Sequence, residues 1–155
     1  MSSQASPRPS GQPSSQLSQE AVRLLAKAWY EALDRHDELA DVTRFLVDDG
    51  LEMRFPEATA RGHAGFAGWY EAVTHRFFDE THTITEVEVT PGATEATVTV
   101  LVNWQASVWN PPKPRSEWLG FDADQTWIVV PGENGPLIKT YIVNGLAPMP
   151  GSASL

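Results

Sequence analysis

The sequence predicts an α+β domain, helices first and an antiparallel sheet after them. Three observations carry this. Apolar residues recur at helical spacing through the first half of the chain. The period then drops to two, most clearly over Ala96–Trp109, where the even positions are Ala, Val and Trp and the odd ones mostly Thr, Asn, Gln and Ser. Turn sequences, "TPGAT" and "PGENG", punctuate this second half as they do in hairpins.

Taken in order, Ser18 is placed to cap a first helix, with Glu20 in its first turn and Val22, Leu25, Trp29 and Leu33 on one stripe. A second helix is expected in "DELADVTRFLVDDG", with Leu39, Val42 and Leu46 on one side and Gly50 as its stop. "LEMRFP" alternates and ends at a proline, which suggests a strand. "RGHAGFAGWYEAVTHRFF" returns to helix, with Phe66, Tyr70, Val73 and Phe77 on one face. "THTITEVEV", the long run from Ala96, "DQTWIVV" and "LIKTYIVNG" are the strands of the meander.

The chain has 155 residues, which sets one domain as the expectation. Residues 1–17, rich in Ser, Gln, Pro and Gly, are expected to be a disordered tail, 18–148 the folded domain and 149–155 a flexible end. A net charge of −9 argues against nucleic acid and against an anionic membrane surface. There is no cysteine, hence no disulfide, thiol nucleophile or thiolate metal site, and the 4 histidines show no ligand spacing. No metal or other cofactor is called for. No apolar run reaches the roughly 20 residues of a membrane span, and the N-terminus lacks a signal-peptide core, so a cytoplasmic location is expected.

The order of motifs resembles the nuclear transport factor 2-like superfamily, in its SnoaL-like branch. "AKAWYEALDRHDELADVTRFLVDDGLEMRFP" is similar to its opening, "RGHAGFAGWYEAV" to its third helix, and "THTITEVEVTPGATEATVTVLVNW" to its second and third strands. The resemblance spans about residues 18–147. It implies a cone: a curved antiparallel sheet packed on three N-terminal helices around a deep pocket. It also implies a homodimer through the outer sheet face, where Trp109 and Trp127 are expected. The fold hosts isomerases, dehydratases, cyclases and non-catalytic binders, so chemistry must be argued from residues.

Against ketosteroid isomerase, the helix-1 tyrosine falls on Trp29, the base aspartate on Phe55 and the second aspartate on Asp124, so that base is lost. Against scytalone dehydratase, the histidine opening the second strand matches His82 in "ETHTIT", while a second strand histidine becomes Trp104. The resemblance to polyketide cyclases implies a strand aspartate near position 124 as base. Asp124 and His82 are therefore the expected catalytic pair, facing one pocket, with Asp122 as the alternative carboxylate. Asp124→Asn is expected on this basis to cost at least about 100-fold in turnover. Trp29, Met53, Phe55, His63, Trp69, Trp104 and Asn144 are the expected substrate-binding residues. Each has a plainer role available: core packing for the aromatics and Met53, helix capping for His63, solvation at the strand mouth for Asp124. The functional expectation is cofactor-independent proton transfer in a small, apolar, oxygenated substrate such as a polyketide or terpenoid. The alternative is a non-catalytic ligand- or partner-binding module, which an outward-facing Asp124 would favour.

Overall fold

The computed structural model describes residues 15–155. Most of the expected tail, residues 1–14, lies outside the described residues. The last part of it does not behave as a tail. Ser15–Leu17 form a 3-10 turn, Leu17 is 2% exposed, and the Gln16 side chain accepts the Gly132 N–H at 2.9 Å. The folded unit thus starts before Ser18.

Helix α1 (Gln19–Asp34) begins where the sequence places it. The Ser18 hydroxyl accepts the Ala21 N–H at 3.0 Å, and the predicted stripe is buried. Helix α2 (Leu39–Thr43) is shorter than its apolar period suggests. Phe45 and Val47 instead exchange backbone hydrogen bonds with Ile138 at 2.9 and 3.0 Å, so sheet pairing takes the residues that periodicity assigned to helix. Strands β1 (Glu52–Arg54) and β2 (Thr59–Arg61) follow; β2 is too short for a period to show. Helix α3 (Gly62–Arg76) buries Phe66 and Tyr70, and Phe77 passes directly into β3 (Phe77–Pro91). Strands β4 (Ala96–Val108), β5 (Glu117–Gly132) and β6 (Gly135–Pro148) complete the meander.

The six strands form one curved, unclosed sheet in the order β2-β1-β6-β5-β4-β3, with the three helices packed on it. Every pairing is antiparallel except β1 with β6, which is parallel. The all-antiparallel expectation is corrected at that one junction, where β2 and α3 come between β1 and the meander in the chain. No helix is long and apolar enough to cross a membrane.

The C-terminal end is not loose either. Residues Met149 to Ala153 run back along the start of β5, with Met149 N–H bonded to Gly120 O at 2.8 Å and Ala153 N–H to Trp118 O at 2.9 Å. Glycine is needed at 120: a Cβ there would stand 2.4 Å from the Trp118 ring and 2.8 Å from the Met149 sulfur.

Register decides which residues face inward. In the β4–β5 ladder Val98 pairs with Trp127, Val100 with Gln125 and Val102 with Ala123. Paired residues share a face, so the even positions of β4 and the odd positions of β5 form the inner wall. Trp127 is therefore core, 0% exposed, rather than part of an outer dimer face; Trp109 is 52% exposed.

Candidate active site

Between the main core and a smaller cluster around Phe77, Leu119 and Phe121 lies a cavity of about 530 Å³. Its walls are largely aromatic and aliphatic. Phe55 and Trp69 stack face to face at 3.9 Å on one side, and Phe77 and Trp104 meet edge to face at 5.1 Å on another. A few polar side chains converge on this space, chief among them His82, Glu80, Gln125 and Tyr141. That composition is what a site for a small, mostly apolar ligand requires.

His82 reaches the cavity because β3 opens with an irregularity. Its register with β4 slips between Phe78 and Thr81, and Asp79 takes the left-handed conformation, φ 52°. Beyond that bulge Glu80, His82 and Ile84 point inward while Thr81 and Thr83 are exposed. Asp34 comes from the last turn of α1, which carries no basic residue. A carboxylate there opposes the helix dipole, and its compensation comes from β3. One oxygen accepts His82 Nδ1–H at 2.5 Å and the other accepts the His82 backbone N–H at 2.8 Å. Tyr30, one turn back on α1, stacks on the imidazole at 4.6 Å. Because Asp34 can only accept, the neutral ring carries its proton on Nδ1 and its lone pair on Nε2.

Below the imidazole is a buried polar layer. Gln125, 5% exposed, accepts at its Oε1 from Tyr30 hydroxyl at 2.7 Å and from Trp127 Nε1 at 2.9 Å. Burial pushes the Tyr141 hydroxyl up, against opposing contributions from Trp29, Tyr30 and Gln125. The Trp29 indole N–H lowers Tyr141 as a hydrogen-bond donor does, yet it is buried with no partner inside hydrogen-bond geometry. Burial and then the neighbouring Tyr141 raise Tyr30 as well, and burial pushes Tyr70 up to about 12. These are the chain's 3 tyrosines. A phenol whose folded value is raised contributes stability that is complete below its ordinary value near 10 and is lost as pH rises through the folded value. We therefore expect no tyrosinate absorbance in the folded protein at pH 10 and a fall in stability from there toward pH 12. A tyrosine that ionises at pH 10 before unfolding would contradict this burial.

The expected site residues divide. His82, Phe55, Trp69 and Trp104 line the cavity. Trp29 and Met53 are 0% exposed and belong to the core behind it. His63, at the start of α3, donates through Nε2 to the Val47 carbonyl at 2.8 Å; it neither lines the cavity nor caps the helix, whose N-terminus has no side-chain cap. Asn144 is exposed and donates to Thr126 Oγ1 at 2.8 Å on the outer face. Asp124 and Asp122 are likewise exposed and outside the cavity wall, Asp122 accepting from Asn103 at 2.9 Å. The Asp124–His82 pair is thus corrected to Asp34–His82. The reason is strand parity: Asp124 pairs with Leu101 on the odd, outward face of β4, where water solvates a carboxylate at no cost.

Among the described residues no group of three or more histidine and carboxylate side chains gathers at metal-binding distance. No family model and no curated protein matches the chain at significance. Solved structures do. A nuclear transport factor 2-like superfamily protein from Salmonella enterica superposes with a TM-score of 0.68 at 12% identity, covering 83% of this chain and 91% of that one. The fold is nuclear transport factor 2-like. A ketosteroid isomerase-like protein from Erwinia carotovora gives 0.65 at 20% identity, over 84% of this chain and 95% of the other. The hexachlorocyclohexane dehydrochlorinase LinA-type3 of Novosphingobium barchaimii gives 0.69 at 15%, over 88% and 92%. At these identities the likeness carries the nuclear transport factor 2-like architecture and leaves the reaction to the side chains.

Proposed function

We propose that this protein is a cofactor-independent enzyme that removes a proton from carbon in a small, largely apolar, oxygenated substrate. Asp124 faces outward, the condition set for the non-catalytic alternative; the observation that carries the enzyme reading in its place is the Asp34–His82 pair at the wall of an apolar cavity. His82 Nε2 is the base. Asp34 fixes the ring and its tautomer and stabilises the imidazolium that forms. The Tyr141 hydroxyl, kept neutral by burial, is the donor for negative charge developing on a substrate carbonyl. The isomerase-like and dehydrochlorinase neighbours fit this class, since each name describes a reaction that can begin at a C–H bond. Polyketides and terpenoids are within the class of ligand the walls accept. A homodimer through the outer sheet face is part of this reading, supported by the exposed Trp109 and Trp118.

The reading is tested with nitrobenzisoxazole, an aromatic carbon acid that opens when a base takes its ring proton. Saturable turnover above buffer and slower turnover of the ring-deuterated compound are expected. Saturable binding with no turnover would instead mark a non-catalytic ligand carrier, the function the apolar walls alone would support.

A further inference from the structure

The same junction of α1 and β3 holds a second histidine–carboxylate pair, with the partners exchanged. Asp34 and His36 come from the end of α1 and the turn after it; Glu80 and His82 come from the bulged start of β3. His36 Nε2 contacts Glu80 Oε2, and Trp104 Nε1 donates to Glu80 Oε1 at 3.0 Å. Glu80 lines the same cavity as His82 and its side chain is only 9% exposed. Two residues apart on one strand face, the two side chains stand roughly 7 Å apart at their backbones.

Local backbone strain serves this pair. His36 adopts φ 54° and Asp79, next to Glu80, adopts φ 52°. Left-handed conformations at non-glycine residues are costly and tend to gather where a side chain must be aimed. Tyr70 holds the strained turn by donating to the Asp37 carbonyl at 2.6 Å. A group that merely satisfied the Trp104 indole could be neutral. A carboxylate in an apolar wall, tied to a histidine that is 28% exposed, is an arrangement for moving a proton between solvent and the cavity.

We infer that Glu80 is the second proton-handling group of this cavity, the one that protonates a departing oxygen, and that the favoured substrates carry a hydroxyl β to the acidic C–H. This rests on the proposed role of His82. In the step, His82 Nε2 takes the proton from carbon, the C–H electron pair becomes the new C=C bond, and the C–O bond breaks. The oxygen leaves as water with the proton held by the His36–Glu80 pair. The pair is left as Glu80 carboxylate and neutral His36, which takes its next proton from solvent, while His82 returns its proton to water. Base and acid on one strand face suit loss of both groups from the same side of the substrate. His36 is the positioning residue.

The test compares two probes that share one carbon acid: the aldol of benzaldehyde and acetone, which loses hydroxide, and its acetate ester, which loses acetate and needs no proton. Glu80→Gln, which keeps the size and the Trp104 bond, is expected to lower kcat/KM for the aldol at least about 100-fold and for the ester no more than a few-fold. His36→Gln should repeat the pattern more weakly, and it carries the test if the Glu80 variant fails to fold by circular dichroism. Equal losses on both probes, or no loss on the aldol, would overturn the inference. So would a wild-type protein that eliminates acetate but leaves the aldol intact. If the wild-type protein eliminates neither probe nor nitrobenzisoxazole, the His82 reading fails first.

Discussion

His82→Ala is expected to lower the elimination of nitrobenzisoxazole by at least about 100-fold, the low end for losing a general base. The chain should stay folded, since the side chain is at the cavity wall rather than in the core, and thermal melting would check this. Asp34→Asn is the sharper test. Asp34 accepts two N–H groups at once, from the ring and from the backbone of His82. An amide has one oxygen to offer. If it takes the backbone N–H, its NH₂ faces the ring and forces Nδ1 to become the acceptor. The proton then sits on Nε2, and the base points its N–H at the substrate. A loss comparable to that of His82→Ala is expected, with little change in KM. Asp124→Asn, on the solvated outer face, is expected to leave both turnover and stability near wild type, within about 0.5 kcal/mol. A large loss with Asp124→Asn and none with Asp34→Asn would reverse the assignment.

Trp127→Ala is expected to be the most damaging of the core substitutions to stability, at about 3–5 kcal/mol. Trp127 is 0% exposed, stacks on Tyr141 at 5.3 Å and meets Tyr30 at 5.9 Å. Its removal would also leave the Gln125 carbonyl with one donor instead of two. Urea unfolding reads the effect as a lower midpoint, with the same gap from wild type at every protein concentration. A gap that changes with dilution would place Trp127 in a subunit interface and count against the core assignment. A tryptophan in the outer face of a dimer and one in the core thus give different dilution series, though both look like an apolar residue on a strand.

The sequence by itself determined the fold class, the start of α1 and the inner face of β4. In those elements a single stripe or a strict alternation leaves one way to bury the apolar atoms. The resemblance of "ETHTIT" to the opening of the second strand of scytalone dehydratase also singled out His82, which lines the cavity. Part of the correction was legible as well. On β5 the odd set Leu119, Phe121, Ala123, Trp127 and Val129 is more apolar than the even set with Asp122 and Asp124, and its one polar member is Gln125. An acid in the last turn of α1, where it opposes the helix dipole, was a second sign that a partner lay elsewhere. What only the tertiary structure decided was which carboxylate meets His82 and that Glu80 joins the same cavity. Those contacts join residues 48 and 44 apart in the chain, Asp34 with His82 and His36 with Glu80. They depend on a bulge that shifts one strand by a residue and on the angle at which a helix end meets it. Neither leaves a periodic trace, because periodicity records which face is buried and not which polar groups the burial brings together.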